Sequence, residues 1–363
     1  MHSCVNCGPL PDSDFSIRNS KYFPNKCRKC ERASARDRRR ACYADPHTKV
    51  LIQNQNSIWR SKQSTKSSKS RNSSEEFHDL ISDLHETGYL PKSYDINSIF
   101  HRLKKSRVSP ILPQSYIGLD YLDLNFKHRF SVASSGCQSF HDVFYDKSEI
   151  LKVIEYLKKE NKHVTNDAII RNLKFNIFMP SHFLPDAAAA IINRFGLNKD
   201  VFDPFLGWGG RTLGAVCAGA KSITGTDLQL DSVAGCQKIV NDFFPLSKCR
   251  SLFVNSNFSD FMNETDLHFD LIFTSPPFID TEDYGVGSYG SVDRWIHSIV
   301  IPLTRGCSRV LRHDGRVAIH VQEKSNLPVM SSVLSCFCGA GWSVVDEYKY
   351  GRKSGQKVLI FKR

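Results

Sequence analysis

The sequence predicts an α/β protein whose C-terminal half forms a doubly wound, mainly parallel sheet. From about residue 172, five short runs rich in β-branched and aromatic residues alternate with helix-length stretches, the pattern of parallel strands joined by crossover helices. Two further strand-like runs, WSVVDEYKY and KVLIFKR, end the chain and are joined only by GRKSG. Because a parallel crossover needs a dozen or more residues, these two runs are predicted to pair as an antiparallel hairpin.

The five predicted parallel strands are short apolar runs, each followed by small or polar residues. They are KDVFDPF, KSITGTD, RSLFVNS, FDLIFTS and GRVAIHV. In an open sheet of this kind, ligands bind at the carboxyl ends of the strands, near the point where the strand order reverses. We therefore expect the functional residues just after these runs.

Candidate cofactor-binding residues follow the first three strands. The turn DPFLGWGGR holds Asp203, Gly207 and Gly209, and small residues let a backbone touch a ligand. The turn lacks the Lys-Ser/Thr of a phosphate-binding loop, and alone it is equally compatible with a tight strand-to-helix connection. Asp227 ends the second strand about twenty residues later, as expected of an acid that binds ribose hydroxyls. The third strand ends in VNSNFSDF, where Asn257 or Asp260 is placed to bond an adenine edge, so the set fits an adenosine-containing cofactor.

A Ser-Pro-Pro-Phe tetrapeptide, Ser275 to Phe278, follows the fourth strand directly. Two consecutive prolines have a fixed φ and no N–H, so a parallel strand must stop there and the backbone becomes stiff. Pro-rich turns are also common punctuation. On pattern alone the tetrapeptide is either a strand terminator or a rigid functional corner.

Together these motifs resemble the S-adenosylmethionine-dependent methyltransferases that act on exocyclic amino groups of nucleobases. The resemblance covers residues 172–363, and it implies a seven-stranded Rossmann-like methyltransferase sheet that binds S-adenosylmethionine. The family tetrapeptide is Asp/Asn/Ser-Pro-Pro-aromatic, and Ser in first place is typical of enzymes that modify cytosine at its 4-amino group. The resemblance further implies that Phe178 or Phe183 lies near the methionine part of the cofactor, and that Phe205 belongs to the cofactor site.

The resemblance also assigns catalytic roles within the tetrapeptide. A base amino nitrogen is a poor nucleophile, and positive charge builds on it as it attacks a sulfonium methyl group, so aimed acceptors and alignment are needed. The Ser275 hydroxyl and the Pro276 carbonyl are implied to be these acceptors, held rigid with Pro277, while Phe278 stacks on a flipped-out base. No catalytic cysteine is expected. Phe278 stands where tyrosine is commoner, and Asn257 where many relatives have Asp.

The N-terminal segment predicts a structural zinc site. Cys4 and Cys7 form one Cys-x-x-Cys pair, and Cys27 and Cys30 form a second, which gives the four thiolates of a tetrahedral site. A single pair is also compatible with redox chemistry. The segment resembles the four-cysteine zinc modules that open many phage-type nuclease and modification proteins.

The positive charge of the chain is concentrated in this segment. Lys and Arg exceed Asp and Glu by 12 over the whole chain, and residues 1–71 carry 16 basic and 5 acidic residues. A basic block beside a near-neutral body indicates a nucleic-acid partner, or else a solubilising tail. We predict a zinc-binding module at 1–60, a basic linker at 61–74, a mainly helical region involved in target recognition at 75–170 and the methyltransferase domain at 171–363.

The function predicted from the sequence is a DNA methyltransferase that makes 4-methylcytosine and serves site-specific modification. Adenine N6 methylation, RNA base methylation and a catalytically silent nucleic-acid-binding protein remain alternatives. A nuclease would need metal ligands near the cysteines, and His47 is the only histidine close behind the second pair. No apolar run approaches a membrane span, and no secretory signal core opens the chain, so an intracellular location is expected. The sequence does not indicate an oligomeric state.

Overall fold

The computed structural model divides the chain into two units, Met1–Asp79 and Leu80–Arg363. It describes residues 77–91, 93–133, 137–177, 179–277, 291–323, 328–351 and 355–363, together with the backbone of residues 2–4 and 8–10. In the first unit, strands β1 (His2–Cys4) and β2 (Gly8–Leu10) form an antiparallel pair with Cys4 opposite Gly8.

Within the described residues, seven helices precede the large sheet. They are α1 (His78–Thr87), α2 (Ile96–Leu103), α3 (Leu119–Asn125), α4 (Phe140–Tyr145), α5 (Lys147–Lys159), α6 (Asn166–Asn176) and α7 (Pro185–Phe195), with a 3₁₀ turn at Lys127–Ser131. Their starts follow ordinary capping chemistry: Ser139 and Asp142 form a reciprocal capping box on α4, which satisfies two backbone donors at once. One face of α5 is apolar and buried, with Ile150, Val153 and Ile154 along it.

The sheet contains seven strands, as predicted. They are β3 (Asp200–Asp203), β4 (Ser222–Asp227), β5 (Arg250–Asn255), β6 (Phe269–Thr274), β7 (Leu311–Gln322), β8 (Ser343–Lys349) and β9 (Gln356–Lys362), in the order β5-β4-β3-β6-β7-β9-β8. The first five strands pair in parallel, whereas β9 is antiparallel to both β7 and β8. The predicted Rossmann-like methyltransferase sheet with its antiparallel last strand is confirmed.

Helices connect the strands and cover both faces of the sheet. They are α8 (Gly210–Ala218), α9 (Leu230–Ser247), α10 (Phe258–Glu264), α11 (Val292–Trp295), α12 (Ile301–Val310) and α13 (Val329–Gly339), with a π-helical turn at Ile296–Val300 between α11 and α12. Two separate clusters of buried apolar side chains result, one on each side of the sheet. This is the layering that a doubly wound fold requires.

Three of the helices before the sheet, α2, α3 and α7, share a core with it. Phe100 on α2, Tyr121 on α3 and Phe126 belong to the same buried cluster as Leu213 of α8 and Ile239 of α9. The Tyr121 hydroxyl also donates a 2.8 Å hydrogen bond to a carboxylate oxygen of Asp242 on α9. The predicted boundary near residue 170 therefore crosses a continuous core, and a separate role for residues 75–170 stays a prediction. Among the described helices, none combines the length and the apolar character needed to cross a membrane.

Candidate functional site

Four of the predicted site residues lie at one edge of the sheet. Asp203 ends β3, Asp227 ends β4, Asn257 follows β5 and Ser275 follows β6. These strands are all parallel, so their carboxyl ends face the same way. The chain starts the sheet at β3, winds outward to β5 and returns to β6 on the other side of β3. The edge between β3 and β6 is thus the reversal point at which ligands bind in such sheets.

The glycine turn after β3 has one open position and one closed position. Gly207 and Gly209 both adopt the left-handed region, with φ of 55° and 72°. A Cβ atom on Gly207 would meet nothing closer than the Phe205 carbonyl oxygen at 3.8 Å, whereas one on Gly209 would lie 2.8 Å from Ile239 Cδ1. Both glycines are needed for the backbone path, but only Gly207 leaves room beside the turn.

Asp227 is held against this open position. One of its carboxylate oxygens accepts a 2.8 Å hydrogen bond from the Gly207 N–H, and the other accepts one of 2.9 Å from the Gln229 N–H. Burial raises the pKa of Asp227, and these two hydrogen bonds oppose the rise. The carboxylate is half-buried. The residues that follow it, Gln229, Leu230 and Asp231, line one side of a cavity of about 360 Å³, and His128, Ser131 and Val132 line the other. A fixed, partly exposed carboxylate can accept hydrogen bonds from a hydroxylated ligand.

Asp203 is buried and joins three elements. Its carboxylate binds the Arg211 guanidinium of α8 at 2.9 Å and accepts a 2.9 Å hydrogen bond from the Thr274 hydroxyl at the end of β6. The Phe205 N–H donates to the same carboxylate. Burial raises the pKa of Asp203, while Arg211 and Thr274 counteract the rise. These partners already occupy both carboxylate oxygens. Direct contact between Asp203 and a cofactor stays a prediction.

The proline corner is tied to the body of the protein on two sides. Pro276 is buried, and Ser275 and Pro277 are half-buried. The indole N–H of Trp295, on α11, donates a 2.9 Å hydrogen bond to the Pro277 carbonyl oxygen. Trp295 is itself only 2% exposed, so this carbonyl is held by a fixed donor. Phe278, the fourth residue of the tetrapeptide, lies outside the described residues.

A buried histidine contacts Ser275. His320, on the neighbouring strand β7, places Nδ1 2.9 Å from the Ser275 Oγ and Nε2 3.1 Å from the Gln356 Oε1 of β9. The rings of Phe183 and Tyr350 lie 5.1 Å and 4.6 Å from the imidazole. Burial lowers the pKa of His320 to about 3, with a further contribution from the Arg211 charge. His320 is therefore neutral across the physiological range.

The segment before the glycine turn is anchored close to this histidine. Phe178 lies outside the described residues, but its predicted alternative Phe183 is buried and packs against Phe273, His320 and Tyr350. The Tyr350 hydroxyl accepts a 2.7 Å hydrogen bond from the Leu184 N–H. These contacts bring an aromatic side chain from this segment to the end of β6.

The last two predicted cofactor residues have defined local contacts. Phe205 is half-buried and packs against Phe258, with ring centroids 4.6 Å apart. Asn257 caps α10 through a 2.8 Å hydrogen bond from the Ser259 N–H to its side-chain oxygen, and it is exposed. Phe205 follows β3, at the centre of the edge, and Asn257 follows β5, at its end. Contact of either residue with a cofactor stays a prediction.

The residues at this edge fit an adenosine-containing cofactor such as S-adenosylmethionine. The open face at Gly207 allows close approach of a ligand, and Asp227 offers a fixed acceptor next to it. Leu228, the next residue, is 60% exposed and adds apolar surface that an adenine ring can cover. This fixed acceptor and the apolar surface beside it suit a ribose and a purine, which present hydroxyl groups and a flat apolar face.

Sequence reasoning missed Arg211, Trp295 and His320. Arg211 stands inside the quoted motif DPFLGWGGR, but its ion pair with Asp203 depends on the turn bringing residue 211 back toward residue 203. His320 reads as part of a buried strand, GRVAIHV, and Trp295 lies beyond the tetrapeptide in a region without a motif. The available signal was His320 itself, a polar residue that directly follows the apolar run VAI, since buried polar groups need partners.

The predicted zinc ligands Cys7, Cys27 and Cys30 lie outside the described residues, and of Cys4 only the backbone in β1 is described. Within the described parts of the chain, no cluster of three or more His, Cys, Asp or Glu side chains is arranged to hold a metal ion. The zinc site therefore stays a prediction.

No family model matches the chain, and no curated protein matches it. Solved structures do align with it at low identity. TrmN from Thermus thermophilus aligns at 18% identity over 49% of this chain and 48% of its own, with a TM-score of 0.38. The ribosomal protein L11 methylase of Lactobacillus delbrueckii subsp. bulgaricus aligns at 15% identity over 51% and 80%, with a TM-score of 0.37. A TehB-like SAM-dependent methyltransferase from Corynebacterium glutamicum aligns at 16% identity over 58% and 98%, with a TM-score of 0.34.

The alignment thus spans about half the length of TrmN. The fold assignment rests on the strand order and directions of this chain, β5-β4-β3-β6-β7-β9-β8 with β9 reversed. Those are the features of a Rossmann-like methyltransferase sheet.

Proposed function

We propose that this protein is an S-adenosylmethionine-dependent methyltransferase that modifies the 4-amino group of cytosine in DNA. One observation carries the proposal: the Ser275-Pro276-Pro277 corner follows β6 at the same edge of the sheet as two cofactor candidates. Asp227 ends β4 there, and Gly207 lies in the turn after β3. A rigid acceptor pair and a site suited to adenosine therefore share one edge of one sheet.

In this proposal Asp227 accepts hydrogen bonds from the cofactor ribose, and the open face of Gly207 lets the cofactor lie against the turn. Asn257 faces the adenine edge, and Phe178 and Phe205 add apolar contact. The bound cofactor supplies an electrophilic methyl group on a sulfonium sulfur. Asp203 binds Arg211 and Thr274 and so fixes the position of the glycine turn relative to the proline corner. Methyl transfer requires such alignment of the reacting groups.

Ser275 and Pro276 act on the target amine. The Ser275 hydroxyl and the Pro276 carbonyl accept the amino N–H bonds, and this stabilises the positive charge that builds on nitrogen during attack. The hydrogen bond from Trp295 to the Pro277 carbonyl fixes the corner. Phe278 stacks on the base after it leaves the helix, because the amino group of a paired base cannot reach such a site.

In this proposal the N-terminal segment binds the nucleic acid. Residues 1–71 carry a net charge of +11, from 16 basic and 5 acidic residues, and phosphate neutralisation by such a segment gives affinity without sequence readout. The antiparallel β1–β2 pair brings Cys4 opposite Gly8, one residue beyond Cys7, which is compatible with a zinc knuckle formed by Cys4, Cys7, Cys27 and Cys30. RNA remains a second candidate, because a basic module does not distinguish it from DNA.

The proposal is tested by incubating the full chain with S-adenosylmethionine and either genomic DNA or total RNA, followed by mass spectrometry of the nucleosides. We expect 4-methylcytosine in DNA. Ser275→Ala should lower the rate by about 100-fold or more, in the range for loss of a charge-stabilising group. Pro276→Ala keeps the backbone carbonyl but removes the fixed φ of proline, so it should lower the rate through loss of alignment.

The matched control is Ser222→Ala. Ser222 is also half-buried and hydrogen-bonded, to Asp200 at 2.7 Å, but it lies at the opposite end of β4, so its loss should leave the rate unchanged. Methyladenine in DNA or methylated bases in RNA alone would replace the cytosine assignment. Equal activity of Ser275→Ala and wild type would refute the proposed site.

A further inference from the structure

We propose that His320 and Gln356 fix the Ser275 hydroxyl as a hydrogen-bond acceptor toward the target, so that the site selects an amino group and rejects a carbonyl at the same position. This inference rests on the proposed function, since it concerns the atom that faces the target base. It assigns His320 and Gln356 as positioning residues, which act through Ser275.

The geometry links three strands of the sheet. Ser275 follows β6, His320 lies on β7 and Gln356 begins β9, which is the antiparallel neighbour of β7. In the pairing of β7 with β9, Gln356 lies opposite Gln322, two residues beyond His320 and on the same face. The distances of 2.9 Å from Ser275 Oγ to Nδ1 and 3.1 Å from Nε2 to Gln356 Oε1 are those of ordinary hydrogen bonds.

The direction of each hydrogen bond follows from the last group in the series. The Oε1 atom of Gln356 can only accept, so the His320 Nε2 must carry the proton that it accepts. A neutral imidazole has a single N–H, so Nδ1 is bare and accepts. Ser275 must then donate its only proton to Nδ1 and is left with lone pairs alone for the target. An amino group can donate to those lone pairs, whereas a carbonyl cannot.

The surroundings of His320 keep the imidazole neutral. His320 is buried against the rings of Phe183 and Tyr350, and the positive charge of Arg211, which is itself paired with Asp203, acts on it. The cationic form would lose hydration and meet a like charge, and the pKa falls to about 3 accordingly. At pH 7 the bare Nδ1 is thus always present.

The same arrangement suits the chemistry at nitrogen. As the amino nitrogen bonds to the methyl carbon it gives up its lone pair, and the electron pair of the broken carbon–sulfur bond stays on sulfur. Positive charge on nitrogen then strengthens each N–H donor, including the one directed at Ser275. One amino proton leaves to solvent afterwards, because a histidine with so low a pKa does not retain it. His320 therefore orients Ser275 without acting as the base.

The first test reads the imidazole directly and needs no activity. In the full chain labelled with ¹⁵N-histidine, the His320 signals are assigned as those absent from His320→Phe. We expect a pyridine-like Nδ1, a protonated Nε2 and no titration between pH 8 and 5. Ser275→Ala should move the Nδ1 signal toward that of a nitrogen without a hydrogen bond, while Gln356→Met should mix the two tautomers. A proton on Nδ1, or titration near pH 6.5, would overturn the inference.

The second test is kinetic. His320→Phe keeps the ring in its aromatic surroundings but removes both nitrogens, so it should lower kcat by about tenfold, as expected when a group that orients a functional residue is lost, with KM nearly unchanged. Gln356→Met should approach His320→Phe, and Gln356→Glu should lower kcat as well, because a carboxylate beside the imidazole favours the cation, which carries a proton on Nδ1. Equal kcat values in Gln356→Met, Gln356→Glu and wild type would contradict the positioning role.

The two tests separate this inference from the proposed function. If wild type transfers no methyl group to DNA or RNA while the Nδ1 signature holds, the proposed function fails and the fixed polarity of Ser275 remains. If wild type methylates an amino group while His320 carries its proton on Nδ1, the polarity inference fails and the proposed function remains.

Discussion

Thr274 donates a 2.9 Å hydrogen bond from its hydroxyl to the Asp203 carboxylate, and this bond joins the ends of the neighbouring parallel strands β6 and β3. The glycine turn begins directly after Asp203, and the proline corner begins directly after Thr274. The same carboxylate holds Arg211 at the start of α8. The two halves of the candidate site are therefore connected through a single buried aspartate.

Asp203→Asn should destabilise the protein strongly. Asp203 and Arg211 are 1% and 7% exposed, and removing one partner of a buried ion pair leaves the other charge without compensation, which costs about 3–5 kcal/mol. Asp200→Asn is the matched control, because Asp200 begins the same strand but pairs with two exposed cations, Lys221 and Arg312, which are 52% and 43% exposed; since each such pair contributes up to about 1 kcal/mol, that loss should cost below about 2 kcal/mol. Urea unfolding measures both. Similar losses in the two variants would contradict the role assigned to Asp203.

Gly207→Ala and Gly209→Ala should have different effects, although both residues have positive φ. Each substitution forces an L-residue into the left-handed region, at a cost of about 1–2 kcal/mol. At Gly209 the new Cβ also meets Ile239 at 2.8 Å, which should add about 1–3 kcal/mol of overpacking. At Gly207 the methyl group enters open space beside Asp227 and should instead raise the Kd for S-adenosylmethionine about tenfold, or ~1.4 kcal/mol.

Urea unfolding and calorimetric titration with S-adenosylmethionine separate the two glycine effects. A Gly207→Ala variant that binds the cofactor as tightly as wild type would remove Gly207 from the cofactor site. If Gly209→Ala were no less stable than Gly207→Ala, the packing argument for Gly209 would be wrong.

The sheet was predictable from the sequence because each strand carries its own local signal. The alternation of apolar runs with helix-length stretches locates the parallel strands. The six residues between β8 and β9, 350–355, are too few for anything but an antiparallel pair. The positions of Asp203, Asp227 and Ser275 at one edge follow from that topology alone. These predictions needed only the order of the strands and their directions.

The contacts among side chains were not predictable in the same way. Ser275 meets His320 across 45 residues of chain, and the pairing depends on the order in which β6 and β7 lie side by side. The participation of α2 and α3 in the core of the sheet was also missed, since the amphipathic pattern of a helix shows that it buries one face but not against what. Phe126 packs into this core, and no sequence pattern around it predicts that contact.

Trp295→Phe should weaken catalysis more than folding. The substitution retains most of the ring but removes the N–H that donates to the Pro277 carbonyl at 2.9 Å, so stability should fall by about 1 kcal/mol. Release of the corner should lower kcat for methyl transfer about tenfold with little change in KM, since small displacements of reacting groups are costly.

Trp342→Phe is the matched control for Trp295. Trp342 is 3% exposed, and its indole nitrogen has no hydrogen-bond partner among the described residues. Its replacement should leave both kcat and stability near the wild-type values. If Trp342→Phe and Trp295→Phe lowered kcat equally, loss of ring volume rather than loss of the hydrogen bond would explain the effect.

Acid should destabilise the folded protein through His320. Its pKa is about 3 in the folded state and about 6.5 in the unfolded chain. The unfolded state therefore binds an additional proton below pH 6.5, so stability is complete above that value and falls as the pH drops toward 3. Between pH 7 and pH 5 this single residue should remove about 2 kcal/mol from the free energy of unfolding.

The contribution of His320 is isolated by comparing the pH dependence of wild type with that of His320→Phe. His182 is also buried and has a lowered pKa, so it adds a loss of the same sign, whereas burial raises the pKa of Asp203 and Asp227 and works in the opposite direction. These contributions are common to both proteins and cancel in the difference. The difference should therefore retain a slope approaching 1.4 kcal/mol per pH unit below pH 6. Parallel curves for the two proteins would mean that His320 titrates as an exposed histidine does, and that it is not shielded as the structure shows.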